Sequence, residues 1–229
     1  MVFTPHPDDA ESGAAGTVAR WTAEGKDVIY VVCTNGDKGT SDITIEPIEL
    51  ALIREKEQLA AADLLGVREV IFLRYPDQGL EDAAEFRKDV VRLIRMYRPE
   101  TVVTVDLTRR YIWHRDHRVT GRVVLDAVIT YAPSLYTYPD LLEQGFEPHQ
   151  VNEILLWGSP EPNYRSDITR TFDAKLAALY CHKSQVGDTL SPEARERRRE
   201  RHMMLAEGED FELAEAFRCI VLGGMCPAG

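Results

Sequence analysis

Apolar positions come in short dense runs separated by polar, helix-periodic stretches. Val2–Thr4 forms a brief β-like stub. Ala10–Glu24 has helical spacing and ends at Gly25, a residue suited to the left-handed cap that closes helices. Asp27–Cys33 (DVIYVVC) reads as a buried strand, and Pro47 sits where a helix running to Leu65 starts. Arg68–Leu73 predicts a third strand and Ala83–Tyr97 a helix stopped by Pro99. The β-branched Thr101–Asp106 predicts a fourth strand. A helix from about Arg118 to Tyr131 and a strand at Val151–Trp157 follow. Further on, Phe172–Ser184 and Ser191–Ala206 read as helices, and Leu213–Leu222 fits either a helix or a final strand. Strands alternating with helices predict a single-domain, Rossmann-like α/β fold over 1–229, with a mainly parallel sheet flanked by helices. The strand C-termini then share one edge, where such sheets hold their chemistry.

Ala132–Gln150 breaks this rhythm. Its three prolines and its aromatics predict a lid or a subunit contact, and with it a homo-oligomer. Composition narrows the partners. The chain has 229 residues, 44% hydrophobic and 28% charged, with no apolar run long enough to span a membrane. No secretory signal is expected, although the short first strand leaves room for residues upstream of Met1. A net charge of -11 repels phosphate backbones and excludes nucleic acid as the natural partner. The Arg195–Arg201 run, with five arginines broken by Glu196 and Glu200, reads first as a solvated helix face and second as a docking patch for an anion. Cys33, Cys181, Cys219 and Cys226 fit neither a zinc ribbon nor a disulfide framework, which points to a reducing cytoplasm.

Two segments carry candidate chemistry. Pro5-His6-Pro7-Asp8-Asp9-Ala10-Glu11 lies where the first strand meets a helix, and His114-Arg115-Asp116-His117 lies in the loop after the fourth strand. His6 and Asp9 can converge on one cation, with Asp8 left over. Two histidines and a carboxylate make a zinc triad that leaves a place for water. A spare carboxylate beside it suits a general base.

These segments, with SGAAGTVARWTAEGKDV, CTNGDKG, IREKEQLAAADLLGV, FLRYPDQGL and AEAFR in the same order, resemble the PIG-L/LmbE-like deacetylase family. The resemblance implies a zinc-dependent hydrolase, with Fe2+ or another divalent metal as a substitute. Its substrates would be small amino sugars of the N-acetylglucosamine type, without nucleic acid or membrane as a partner. By motif position His6, Asp9 and His117 would bind metal and Asp8 would be the base. His114, as imidazolium, would stabilise the oxyanion, oriented by Asp116. Arg54 and Asp77 would contact the sugar, and Glu11 would support the turn. His149, His182 and His202 read as structural, surface or packing residues. Two positions depart from the family pattern: Arg115 replaces a proline, and Ile112 stands where some relatives carry tyrosine. The competing readings are an amidase acting on a thiol-conjugated or antibiotic glycoside, and a non-catalytic sugar-binding module.

Overall fold

The structure is a computed structural model that describes residues 1–108, 111, 114–187 and 191–223. The first half alternates as the sequence predicts: β1 (Val2–Thr4), α1 (Asp9–Ala23), β2 (Ile29–Thr34), α2 (Pro47–Leu64), β3 (Glu69–Tyr75), α3 (Ala84–Tyr97), β4 (Thr101–Val105) and α4 (Arg115–Asp126). A π-helical turn at Ala127–Tyr131 extends α4, and a short α5 (Pro139–Glu143) precedes β5 (Glu153–Trp157). Then come β6 (Tyr164–Asp167), α6 (Phe172–Leu179), α7 (Lys183–Val186), α8 (Pro192–Leu205) and β7 (Ala214–Val221).

All seven strands join one sheet in the order β3-β2-β1-β4-β5-β7-β6. The first five run parallel, while β7 is antiparallel to both β5 and β6. Residues alternate between the two covered faces. Phe3, Val31, Val102 and Ile154 pack with α3 and α4, whereas Val2, Tyr30, Val103 and Leu155 pack with α1 and its neighbours. Val2 pairs with Tyr30 on one side and Val103 on the other, so chain order reverses between β1 and β4. A crevice opens outside the strand ends at such a switch point.

Two glycines set how closely helices approach that crevice. A Cβ on Gly121 of α4 would lie 2.6 Å from the Val105 carbonyl oxygen, and one on Gly13 of α1 would lie 2.6 Å from the Trp157 ring. Since residues four apart share a helix face, seating Gly121 on β4 aims His117 at the crevice.

The structure departs from the sequence expectation at the start of α4, within Phe172–Ser184, at β6 and at Cys219, and it settles one open choice. Helix α4 begins at Arg115 rather than Arg118, because His114 caps it by accepting from the Asp116 N–H. The Phe172–Ser184 helix is broken after Leu179 into α6 and α7. Leu213–Leu222 resolves as the strand β7, and the unforeseen β6 pairs with it. Cys219 takes part in a disulfide, which its spacing did not indicate, while Cys33 and Cys181 are free. No described helix is long and apolar enough to cross a membrane.

Candidate metal centre and active site

The turn after β1 is tightly built. Thr4 donates its hydroxyl to the His6 carbonyl at 3.1 Å, and the His6 N–H donates to Asp9 Oδ2 at 3.1 Å. Asp8, between them, adopts φ 96°, ψ -23°. That left-handed backbone is uncommon outside glycine, and aspartate and asparagine are among the residues that tolerate it best. The strain lifts Asp8 out of the helix while Asp9 begins it.

Asp9 Oδ2 lies 3.0 Å from His6 Nδ1 and 3.1 Å from His117 Nε2. The other His6 nitrogen, Nε2, lies 3.1 Å from Asp77 Oδ1 and 3.2 Å from Asp116 Oδ2. His6 is thus surrounded by three carboxylates. Burial pulls its pKa down, but Asp116, Asp77 and Asp9 outweigh burial and push it up to about 11. Burial pushes Asp9 up, but His117 and His6 prevail and hold it well below the usual carboxylate range. Such a concentration of carboxylates around imidazoles attracts positive charge. Asp77 Oδ1 has no hydrogen-bond partner of acceptable angle although it is buried. Oxygen and imidazole donors of this kind suit zinc, iron and similar divalent ions, so the residues fit a metal.

His6, His114 and His117 present nitrogen atoms within 4.8 Å of one another, as do donor atoms of His6, Asp77, His114 and Asp116. Proximity alone would make His114 a ligand; its hydrogen bonding argues otherwise. The Asp116 N–H donates to His114 Nδ1 at 3.3 Å. A neutral imidazole has one lone pair and one N–H, so with Nδ1 accepting, Nε2 carries the proton. His114 is therefore a donor toward the crevice.

The contact between Asp116 and this histidine runs through the main chain. The Asp116 carboxylate instead accepts from the Gln78 N–H at 2.7 Å and the Leu80 N–H at 3.3 Å, tying the loop after β3 to α4. Burial and the neighbouring His6 lower the His114 pKa from its ordinary value.

Burial and Asp9 push Asp8 up to about 7, against the pull of Arg54 and His182. Arg54 is buried and donates to the Pro7 carbonyl at 2.6 Å and the Gly36 carbonyl at 2.9 Å, with Asp8 Oδ1 3.5 Å away. It ties the turn after β1 to the loop after β2. Asp77 is also buried: it accepts from the Lys38 N–H at 3.3 Å, and its pKa falls to about 2 because His6 overcomes the effect of burial. Both side chains face the His/Asp cluster. Arg115 reaches out to Glu81 and the Leu80 carbonyl, so the proline substitution adds a charge that is already paired. Ile112 lies outside the described residues.

A second network, not signalled by either motif, lies behind Asp8. Gln58, one turn after Arg54 on α2, is fully buried. It accepts from the Asp8 N–H at 3.3 Å and donates to Glu11 Oε1 at 2.8 Å. His182, expected at the surface or in packing, is fully buried with Nε2 3.3 Å from Glu11 Oε2. The shared face of Arg54 and Gln58 was visible in the i, i+4 spacing, whereas the approach of His182 was not.

A strand-crossover crevice on a Rossmann-like scaffold, with histidines and carboxylates from three strand-end loops that could hold a metal ion, is where enzymes of this architecture place their chemistry. The chain belongs to the PIG-L family, described as GlcNAc-PI de-N-acetylase, whose profile matches residues 1–128. It is 36% identical over 185 residues to a diacetylchitobiose deacetylase of Thermococcus kodakarensis, covering 81% of this chain and 69% of that one. It is 27% identical over 202 residues to a probable N-acetyl-alpha-D-glucosaminyl L-malate deacetylase 2 of Bacillus anthracis, covering 86% and 85%. The solved N,N'-diacetylchitobiose deacetylase of Pyrococcus horikoshii superposes with a TM-score of 0.88 at 33% identity, covering 96% of this chain and 82% of that one.

Proposed function

We propose that this protein hydrolyses the N-acyl bond, an acetyl amide, of a GlcNAc-type amino sugar or its conjugate. A divalent cation, zinc or iron, would be held by His6, Asp9 and His117. The observation that carries this reading is Asp9 Oδ2 set between His6 Nδ1 and His117 Nε2, with the spare carboxylate of Asp8 alongside. Bound there, a divalent cation polarises the amide carbonyl and makes water easier to deprotonate.

The chain's own residues supply the rest. Asp8 takes a proton from water as its oxygen attacks the carbonyl carbon, and a base whose pKa lies near the working pH does this best. The His114 Nε2–H donates to the carbonyl oxygen as negative charge develops. Asp8 then returns the proton to nitrogen, the C–N bond breaks, and the carboxylic acid and the amine leave, the acid's proton passing to the amine or to solvent. Arg54 holds Pro7 and Gly36 around Asp8, and Asp77 and Asp116 fix His6. From these positions the roles of Arg54 and Asp77 are to brace the centre, with sugar contact secondary.

The test is acetate release from GlcNAc, chitobiose and GlcNAc conjugates, with an acetyl-lysine peptide as control and metal content measured alongside. Amino-sugar amides should be cleaved in preference to the peptide by enzyme carrying about one metal. A chain that takes up no transition metal, or that prefers the peptide, overturns the reading.

The 132–150 segment is better placed as a subunit contact than as a lid. Arg95 anchors it through the carbonyls of Tyr131, Ala132, Ser134 and Thr137, and Leu141 is buried in the core. Leu135 and Tyr136 remain 59% and 94% exposed, apolar surface that a second copy would cover. Sedimentation should show an oligomer that Tyr136→Glu weakens; a wild-type monomer at micromolar concentration ends this idea.

A further inference from the structure

The Arg195–Arg201 run is not a uniform solvated face. Arg195 pairs with Asp173 and Arg199 with Glu212, but Arg197, Arg198 and Arg201 form no ion pair among the described residues. Arg201 follows Arg197 by four positions and Arg198 by three, so the three share one side of α8. They line a cleft of about 830 Å³ that is also lined by Asp9 and His117 of the candidate centre. Two other charged groups on its wall, Lys175 and Glu215, neutralise each other at 2.7 Å. Asp9 is likewise matched by two histidines. Unpaired positive charge is therefore concentrated on the α8 wall, on a chain whose net charge is -11.

From this juxtaposition we infer that the cleft selects amino-sugar conjugates bearing an anionic group, a phosphate or a carboxylate, remote from the amide, and that Arg197, Arg198 and Arg201 receive it. The inference rests on the deacetylase reading for its chemistry and extends it to substrate class. Guanidinium groups bind both anions with paired N–H donors, which a neutral sugar does not exploit. Geometry allows one ligand to touch both ends. Helix α8 packs on β7, which is three places from β1 in the sheet. At about 4.8 Å per strand the separation is roughly 14 Å, longer than one sugar ring and suited to a ring with an appended group.

Three substrates separate the possibilities: GlcNAc 1-phosphate, GlcNAc glycosidically linked to a small hydroxy acid, and the neutral methyl glycoside. Acetate release would be compared in wild type and in R197Q/R198Q/R201Q. Calorimetric binding of glucosamine 1-phosphate and methyl glucosaminide would be measured in parallel. Wild type should favour at least one anionic substrate by about tenfold or more in kcat/KM, an advantage that shrinks with added salt. In the triple variant the anionic-to-neutral ratio should fall to near one. The relative size of the two anionic advantages identifies phosphate or carboxylate as the group received. Equal use of charged and neutral substrates by wild type, or a variant that keeps the anionic preference, overturns the inference while leaving the deacetylase reading intact. If no substrate releases acetate, the deacetylase reading fails and the binding arm decides the cleft alone. Tighter binding of the phosphate that the variant loses supports it, and equal binding refutes it. Should the triple variant fail to fold, Arg197→Gln and Arg201→Gln, each at an exposed position, provide the same ratios singly.

Discussion

Two buried charged clusters touch α1 or the turn that leads into it, and they are built on opposite principles. In one, Glu215 of β7 accepts from the Gly16 N–H at 2.9 Å, the Thr17 N–H at 2.8 Å, the Thr17 hydroxyl at 2.5 Å and Lys175 at 2.7 Å. Lys175 completes it by donating to the carbonyls of Glu11 and Ser12. Charge and hydrogen-bonding capacity are both closed. In the other, three carboxylates face His6, and Asp77 Oδ1, Glu11 Oε2 and both His182 nitrogens lack a well-angled partner. A saturated cluster holds a fold together, whereas an unsaturated, negatively biased one waits for a cation and a substrate.

The sharpest break in this comparison is Asp8→Asn. Asparagine tolerates the left-handed backbone, so fold and metal should persist while kcat falls by about 10²–10⁴. Near wild-type turnover would show that Asp8 is not the base. The pH profile refines the point. Asp8 must be ionised to accept a proton, so kcat/KM should decline as pH drops through its pKa, about 7 without a cation and lower with one.

Lys175→Met attacks the closed cluster. It leaves Glu215 buried and unpaired, which should cost about 3–5 kcal/mol in urea unfolding with little change in metal content. Burial raises the Glu215 pKa, but Lys175 overrides it, so the folded-state value lies below the unfolded one. The stability it contributes is therefore full above the ordinary carboxylate range and is lost as pH falls through the depressed value. A variant with the same stability and the same acid sensitivity as wild type would mean the pair is not structural.

His114→Ala and His117→Ala test the open cluster from within. The first should keep metal and lose about 10²–10³ in kcat, as expected for a missing oxyanion donor. The second should lose metal affinity as well. Reversal of the metal result would exchange the two roles. The smallest effect belongs to Gly121→Ala, whose methyl would meet the rigid Val105 carbonyl. It should destabilise by about 1–3 kcal/mol and weaken metal binding by displacing His117. An unaltered melting temperature would show that α4 can move away at no cost.

The open cluster was far more legible in the sequence than the closed one. His6, Asp8, Asp9, His114 and His117 sit in two short motifs at strand ends, and parallel topology brings strand ends together. Asp77 and Arg54 were placed by resemblance, but their burial against His6 and Pro7 depends on loop paths that spacing does not encode. Lys175 and Glu215 are 40 residues apart, on a helix and an antiparallel strand; Glu215 sits in the AEAFR segment, but that segment does not indicate a buried lysine partner. Strand β6 was invisible because Tyr164-Arg165-Ser166-Asp167 is short and polar. Its pairing partner, Ala214–Phe217, comes some fifty residues later.

The position of β7 also bears on how the chain assembles as it is made. It is the last strand among the described residues yet an interior one in the sheet, between β5 and β6. While the ribosome is still short of it, β6 has no neighbour, and Gly16 and Thr17 of α1 lack the carboxylate that later receives their N–H groups. The five parallel strands and both motifs emerge earlier and can associate first, because nascent chains fold from the N-terminus as units become available. Insertion of β7 would then act as a late bolt, locking a catalytic edge that synthesis had already delivered.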